Sequence, residues 1–174
     1  MIRHSLNHYS QFCDTINVLD NQSTDDTLAI IKAEYPHVNV ISFNSEGTFN
    51  DNIHAFIKNT CWKRSKADWV IVADMDELLY YHTNNTNGLR ARLSEVLHHN
   101  TIYNFLPIVT GYNMFSETFP GYDQQITDQV KHGVPNENFN KQIIFSPQHI
   151  KETNFGPGAH ACNIKFIDEP ILGN

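Results

Sequence analysis

The 174-residue chain has only three cysteines, Cys13, Cys61 and Cys162, odd in number and in no C-x-x-C spacing. This argues against a disulfide framework and a structural zinc site, and makes a reducing compartment the default. Long apolar runs are lacking as well. The longest, residues 69–73, is too short to span a bilayer, and Arg3, His4, Asn7 and His8 stand where a signal peptide would carry its apolar core. The expectation is a soluble cytoplasmic chain without an integral membrane segment, at most peripheral to a membrane through a partner. Basic charge is scarce: twelve Lys and Arg face nineteen Asp and Glu, a net charge of -7. No basic run is present to neutralise a phosphate backbone, so nucleic acid is not an expected partner. An acidic excess suits a protein that recruits a divalent cation to bring an anionic substrate close to its own carboxylates. Internal repeats, low-complexity tracts and a second-domain linker are also missing. The length fits one domain, residues 1–174, that buries about two thirds of its unfolded surface and holds one site.

What is present alternates. Ile16, Val18 and Leu19 form a short apolar patch, and residues 20–27 follow it with turn and capping types. Ser23 with Asp26 resembles a capping box; Leu28, Ile31 and Tyr35 then recur at helical spacing until Pro36. Val38, Val40, Ile41 and Phe43 predict a second strand, ended by Asn44-Ser45-Glu46-Gly47. Ile53, Phe56, Ile57, Thr60 and Cys61 predict a helix capped by Asn50 or Asp51. Residues 69–73 are a continuous β-prone run, the pattern of a strand covered on both faces, and lead into Asp74-Met75-Asp76-Glu77. Such alternation predicts an α/β fold, a mostly parallel central sheet with helices on both faces, with ligands bound beyond the carboxyl ends of the strands. Beyond it come a polar turn at 84–87, a helix through Leu89, Leu93, Val96 and Leu97, and an apolar stretch at 102–109. Residues 111–140 mix aromatics with Pro and Gly and read as a binding loop or lid. Residues 142–146 and 161–166 are candidate strands, with a tight turn at Gly156-Pro157-Gly158-Ala159-His160 between them.

Two carboxylates spaced i and i+2 where a strand breaks into a turn, Asp74 and Asp76, can present hard oxygen ligands to Mg²⁺ or Mn²⁺. Such an ion bridges diphosphate oxygens and stabilises leaving-group charge. A bare D-x-D is more often a solvated loop that caps a helix, and the strand before it is what raises this one. Asp20 ends the earlier strand, placed either to accept hydrogen bonds from a base or ribose or simply to form its own turn. Helix capping accounts for Ser23 and Asp26.

The run Val18-Leu19-Asp20-Asn21-Gln22-Ser23-Thr24-Asp25-Asp26-Thr27, followed after a βα unit by Trp69-Val70-Ile71-Val72-Ala73-Asp74-Met75-Asp76-Glu77, resembles glycosyltransferase family 2 and its relatives of the GT-A fold. The resemblance covers residues 12–80 well and the remainder weakly. It implies a GT-A (Rossmann-like) sandwich and a nucleotide-sugar donor. It also implies nucleotide contacts for Asp20 and Asp74, and a Mn²⁺ or Mg²⁺ site at Asp74 and Asp76. The 156–160 turn is similar to the element that supplies a metal-ligating histidine in such enzymes, which makes His160 the third candidate ligand. The acceptor would be a hydroxyl of a glycan, a lipid-linked sugar or another molecule, attacked with inversion in polysaccharide or glycoconjugate synthesis.

Two departures accompany the resemblance. The chain opens on what reads as the first helix, residues 2–12, so the family's first strand is expected to be missing. No clear carboxylate base follows, and Asp123 and Asp128 in the aromatic-rich loop are the candidates. Both departures keep open a truncated family member that binds a nucleotide-sugar or glycan without turnover. A haloacid-dehalogenase-type phosphatase, with Asp74 as nucleophile, ranks lower, because its D-x-D opens the domain and continues with Thr or Val rather than Glu77-Leu78.

Overall fold

The computed structural model describes residues 1–48, 50–81, 88–96, 106, 107 and 109–168. The polar turn at 84–87, Leu97, and residues 102–105 and 108 of the apolar stretch lie outside them. The chain is a mixed α/β protein. Among the described residues no helix is long and apolar enough to cross a membrane.

Helix α1 (Ile2–Tyr9) is followed by β1 (Asn17–Asp20), α2 (Thr27–Glu34) and β2 (Asn39–Ser42). The first helix stops before the expected Phe12 because Gln11 and Phe12 donate to the carbonyls three residues back, tightening the chain into turns. β1 and β2 run parallel, Asn17 opposite Asn39 through to Asp20 opposite Ser42, with α2 as the crossover. Ile31, Tyr35 and Val38 of this crossover pack on Ile2 and Leu6 of α1, forming one of two buried clusters. The outer strand is less covered than its sequence suggests, since Val40 is 40 % and Ile41 49 % exposed.

The expected capping box does not form. Ser23 lies four positions before the first helical residue, Thr27, and three before the N-cap Asp26, too far to cap the free N–H groups of the first turn. The Ser23 N–H instead bonds the Asp20 carboxylate, and Asp25 accepts from the Thr27 N–H at 3.0 Å.

Helix α3 (Asp51–Thr60) is capped by Asn50, whose side chain accepts from Asn52 N–H at 3.1 Å and Ile53 N–H at 3.2 Å. Strand β3 (Val70–Ile71) is shorter than the run that encodes it, although Val72 N–H still reaches the Ile143 carbonyl. Trp69 leaves the ladder and donates its indole N–H to the Leu93 carbonyl of α4 (Gly88–Val96).

Residues 111–140 are not an irregular lid. They hold an antiparallel hairpin of β4 (Tyr112–Phe115) and β5 (His132–Pro135), joined through the single turn α5 (Ile126–Gln129). Every residue of both strands is exposed, so the period-2 burial signal of a half-covered strand is missing from the sequence. After a 3-10 turn (Glu137–Phe139) come β6 (Ile144–Phe145), β7 (Ile150–Glu152), a second 3-10 turn (Pro157–Ala159) and β8 (Lys165–Phe166).

Among the described residues the strands pair two by two. β1–β2 is parallel, while β3–β6, β4–β5 and β7–β8 are antiparallel. The expected mostly parallel central sheet is not formed among the described residues: only the first pair is parallel, and the strand leading to the acidic motif takes an antiparallel neighbour, Val70 opposite Phe145, a long-range pairing that periodicity does not encode. The second buried cluster surrounds that pair: Phe145 packs edge-on against Trp62 at 4.9 Å, with Val72, Leu106, Ile150, Phe155 and Ala159. Burying each of the larger aliphatic and phenylalanine side chains contributes about 1.5–3 kcal/mol.

Candidate functional site

The residues after β3 turn at once, Glu77 N–H donating to the Asp74 carbonyl at 3.0 Å. Helix α1 holds this turn by its backbone. The Ser5 hydroxyl donates to the Met75 carbonyl. Tyr9 donates to the Glu77 carbonyl at 2.8 Å and accepts from Leu79 N–H at 3.1 Å, and His8 Nε2 donates to the Leu79 carbonyl at 2.8 Å. Burial pushes the Tyr9 hydroxyl up to about 12, so it stays a donor at any working pH. Ser5, His8 and Tyr9 stand at i, i+3 and i+4, a polar stripe readable in the sequence that sequence reasoning nevertheless missed.

The side chains of the motif differ sharply. Asp74 is 39 % exposed and pairs with Lys58 of α3 at 2.5 Å, with Lys141 at 4.0 Å from its other oxygen. Glu77 pairs with Lys141. Asp76 is exposed and has no hydrogen-bond or ion-pair partner among the described residues. Three carboxylates therefore face two ammoniums, and the unbalanced charge sits on Asp76. Neither lysine carries a sequence signal, because each reaches the motif through tertiary packing alone.

The 156–160 turn lies beside the motif. Lys141 Nζ donates to the Gly158 carbonyl at 2.6 Å, and Asn59 of α3 pins the approach to the turn by accepting from Phe155 N–H at 2.7 Å and donating to the Phe155 carbonyl. Gly158 has φ +60, and a Cβ there would stand 2.7 Å from His160 Cδ2 and 2.9 Å from Nε2, so any side chain would be strained and would push the imidazole aside. His160 Nδ1 lies 2.6 Å from the Asn138 carbonyl. A carbonyl only accepts, so Nδ1 carries a proton, and in the neutral ring the lone pair is then on Nε2, as in metal-ligating histidines.

Asp20 is buried, and its carboxylate turns into its own loop, accepting from Ser23 N–H at 3.1 Å. The next residue joins two loops: Asn21 Nδ2 donates to Ser45 Oγ at 2.7 Å and its Oδ1 accepts from Ser45 N–H at 3.0 Å. The turns that end β1 and β2 are thereby locked at the carboxyl end of the parallel pair. Asp123 and Asp128 are not brought to the motif. Both are exposed; Asp128 pairs with Lys131 at 3.7 Å, and the Asp123 carboxylate lies over Gly121. Their segment packs instead on the start of α1, where Phe119 and Tyr122 flank the His4 ring.

Of the three candidate metal ligands, Asp76 and His160 each offer a free donor and Asp74 is engaged by lysine. Among the described residues no three His, Cys, Asp or Glu side chains gather into a metal-binding group. Two free donors do not amount to a closed protein cage, and an ion of the Mg²⁺ or Mn²⁺ type held by them would have to complete its shell with water and substrate phosphates. No protein-family model, curated protein or solved structure matches the chain.

Proposed function

We propose that the chain is a GT-A-type glycosyltransferase that moves a sugar from a nucleotide-sugar donor to an acceptor hydroxyl with inversion. The observation that carries this reading is the acidic motif: a turn clamped by α1 and two lysines that leaves one carboxylate, Asp76, unpaired and open to solvent. The locked turns at the end of the parallel β1–β2 pair, Asp20 among them, support a nucleoside pocket at the position where open α/β folds bind ligands. Asp76 and His160 would hold Mn²⁺ or Mg²⁺, which when bound supplies charge neutralisation for the diphosphate leaving group. The protein's own part is to fix these donors before substrate arrives and to hold the nucleoside end. A panel of nucleotide-sugars, each with Mn²⁺ and without, tests the reading by sugar release or transfer. Wild-type turnover that falls at least about 100-fold in Asp76→Asn supports it, and turnover untouched by that change overturns it.

A second reading has its own observation. Neither Asp123 nor Asp128 contacts the motif, so neither candidate base is in place, as in a family member that binds nucleotide-sugar or glycan without transferring it. Calorimetric binding of a nucleotide-sugar with no product in the same assay would favour it.

A further inference from the structure

Lys141 has a side chain only 3 % exposed, and an ammonium so deeply buried is tolerated only with partners around it. Those partners come from two segments far apart in sequence. Glu77 lies at the end of the acidic turn, and the Gly158 carbonyl, 2.6 Å away, is at the apex of the 156–160 turn. The Phe139 ring lies 5.2 Å from Nζ and meets the His160 ring edge-on at 5.3 Å. One ammonium thus touches the acidic turn, the histidine turn and the ring against which the histidine rests.

We propose that Lys141 is the positioning residue of this site. Its ammonium straps the 156–160 turn to the acidic turn, which fixes His160 relative to Asp76. It also cancels the charge of Glu77, so that Asp76 alone is left to recruit a cation and its diphosphate. What the strapped pair binds rests on the glycosyltransferase reading; the strap itself does not.

Four proteins separate these parts: wild type, Lys141→Met, Glu77→Gln and the double variant. In Glu77→Gln the buried ammonium keeps the Gly158 carbonyl and Asp74 as partners, whereas Lys141→Met leaves the half-buried Glu77 carboxylate unpaired and can fail to fold. The double variant removes that charge and is compared with Glu77→Gln. Amide exchange read by mass spectrometry should be about tenfold faster at residues 156–161 in the double variant than in Glu77→Gln, with β1 and β2 unchanged. Calorimetry with Mn²⁺ plus inorganic pyrophosphate should show about tenfold weaker binding across the same pair. Equal exchange at 156–161 overturns the strap, and faster exchange with equal affinity overturns the positioning role. If wild type binds neither Mn²⁺ nor pyrophosphate, the diphosphate reading falls while the exchange comparison still decides the strap.

Discussion

The two aspartates that end strands, Asp20 after β1 and Asp74 after β3, are held in opposite ways. Asp20 is buried and fastened by the backbone of its own loop, and the neighbouring loop is tied on by neutral hydrogen bonds between Asn21 and Ser45. Asp74 is part-exposed in a knot of ion pairs whose cations come from α3 and from the segment before β6. Neutral, geometrically exact bonds keep a recognition loop in one shape at any ionic strength. A charge knot keeps its shape only while its charges balance, and so responds to whatever charged group enters. In the proposed enzyme the first arrangement suits the nucleoside and the second suits the diphosphate.

The sharpest way to break the contrast is to remove one charge from the knot. Lys141→Met strands the Glu77 carboxylate, and urea unfolding should show a loss of about 3 kcal/mol, most of it recovered by adding Glu77→Gln. The corresponding cut at the other loop is gentler. Asn21→Ala deprives the buried Ser45 N–H of its acceptor, with an expected loss of about 2 kcal/mol by the same measurement. Equal losses in the two variants would mean that the charge knot is no more tightly coupled than the hydrogen-bonded loop.

Legibility in the sequence divides along the same line. The loop after β1, a helix cap at Asn50 or Asp51 and the β1–α2–β2 order were readable because each depends on neighbours within a few residues, while the two roles open to Asp20 were not separable there. The Ser23–Asp26 capping box misled because a local pattern fixes the residue types but not where the helix begins. Lys58 and Lys141 could not be read at all: they lie 16 residues before and 67 after Asp74, and lysine is ordinarily a surface residue. The β4–β5 hairpin was missed because neither strand has a buried face to mark it. The aspartates stand out in the sequence as a D-x-D after an apolar run, but the ion pairs around them come only from packing.

Acid is a milder probe, since it deletes no atoms. Burial lowers the affinity of His4 and His8 for a proton in the folded chain, and His8 Nδ1 finds no partner among the described residues. With folded values below the ordinary 6.5, the unfolded chain binds more protons on acidification. Stability should therefore be flat above about pH 6.5, fall as pH drops below it, and level off only beneath the folded values. Urea midpoints from pH 7.5 to 5 check the direction. Because His8 holds the Leu79 carbonyl, protection of amides at 75–79, taken relative to their intrinsic exchange rate at each pH, should fall before that of β1 and β2. A midpoint that rises on acidification would reverse the sign.

The smallest effect separates the two kinds of fastening most cleanly. The Lys58–Asp74 pair is close, but Asp74 is open to solvent, and pairs of this kind contribute about 0–1 kcal/mol. Lys58→Met should therefore cost about 0.5 kcal/mol at low salt. In about 1 M salt, where screening acts over about 3 Å, the cost should fall to zero. Asn21→Ala breaks bonds between neutral groups, and its cost should be the same at both salt concentrations. If the two variants showed the same salt dependence, the distinction between a neutral recognition loop and a charge knot would fail. Asp74 would then be held by packing, with its lysine incidental.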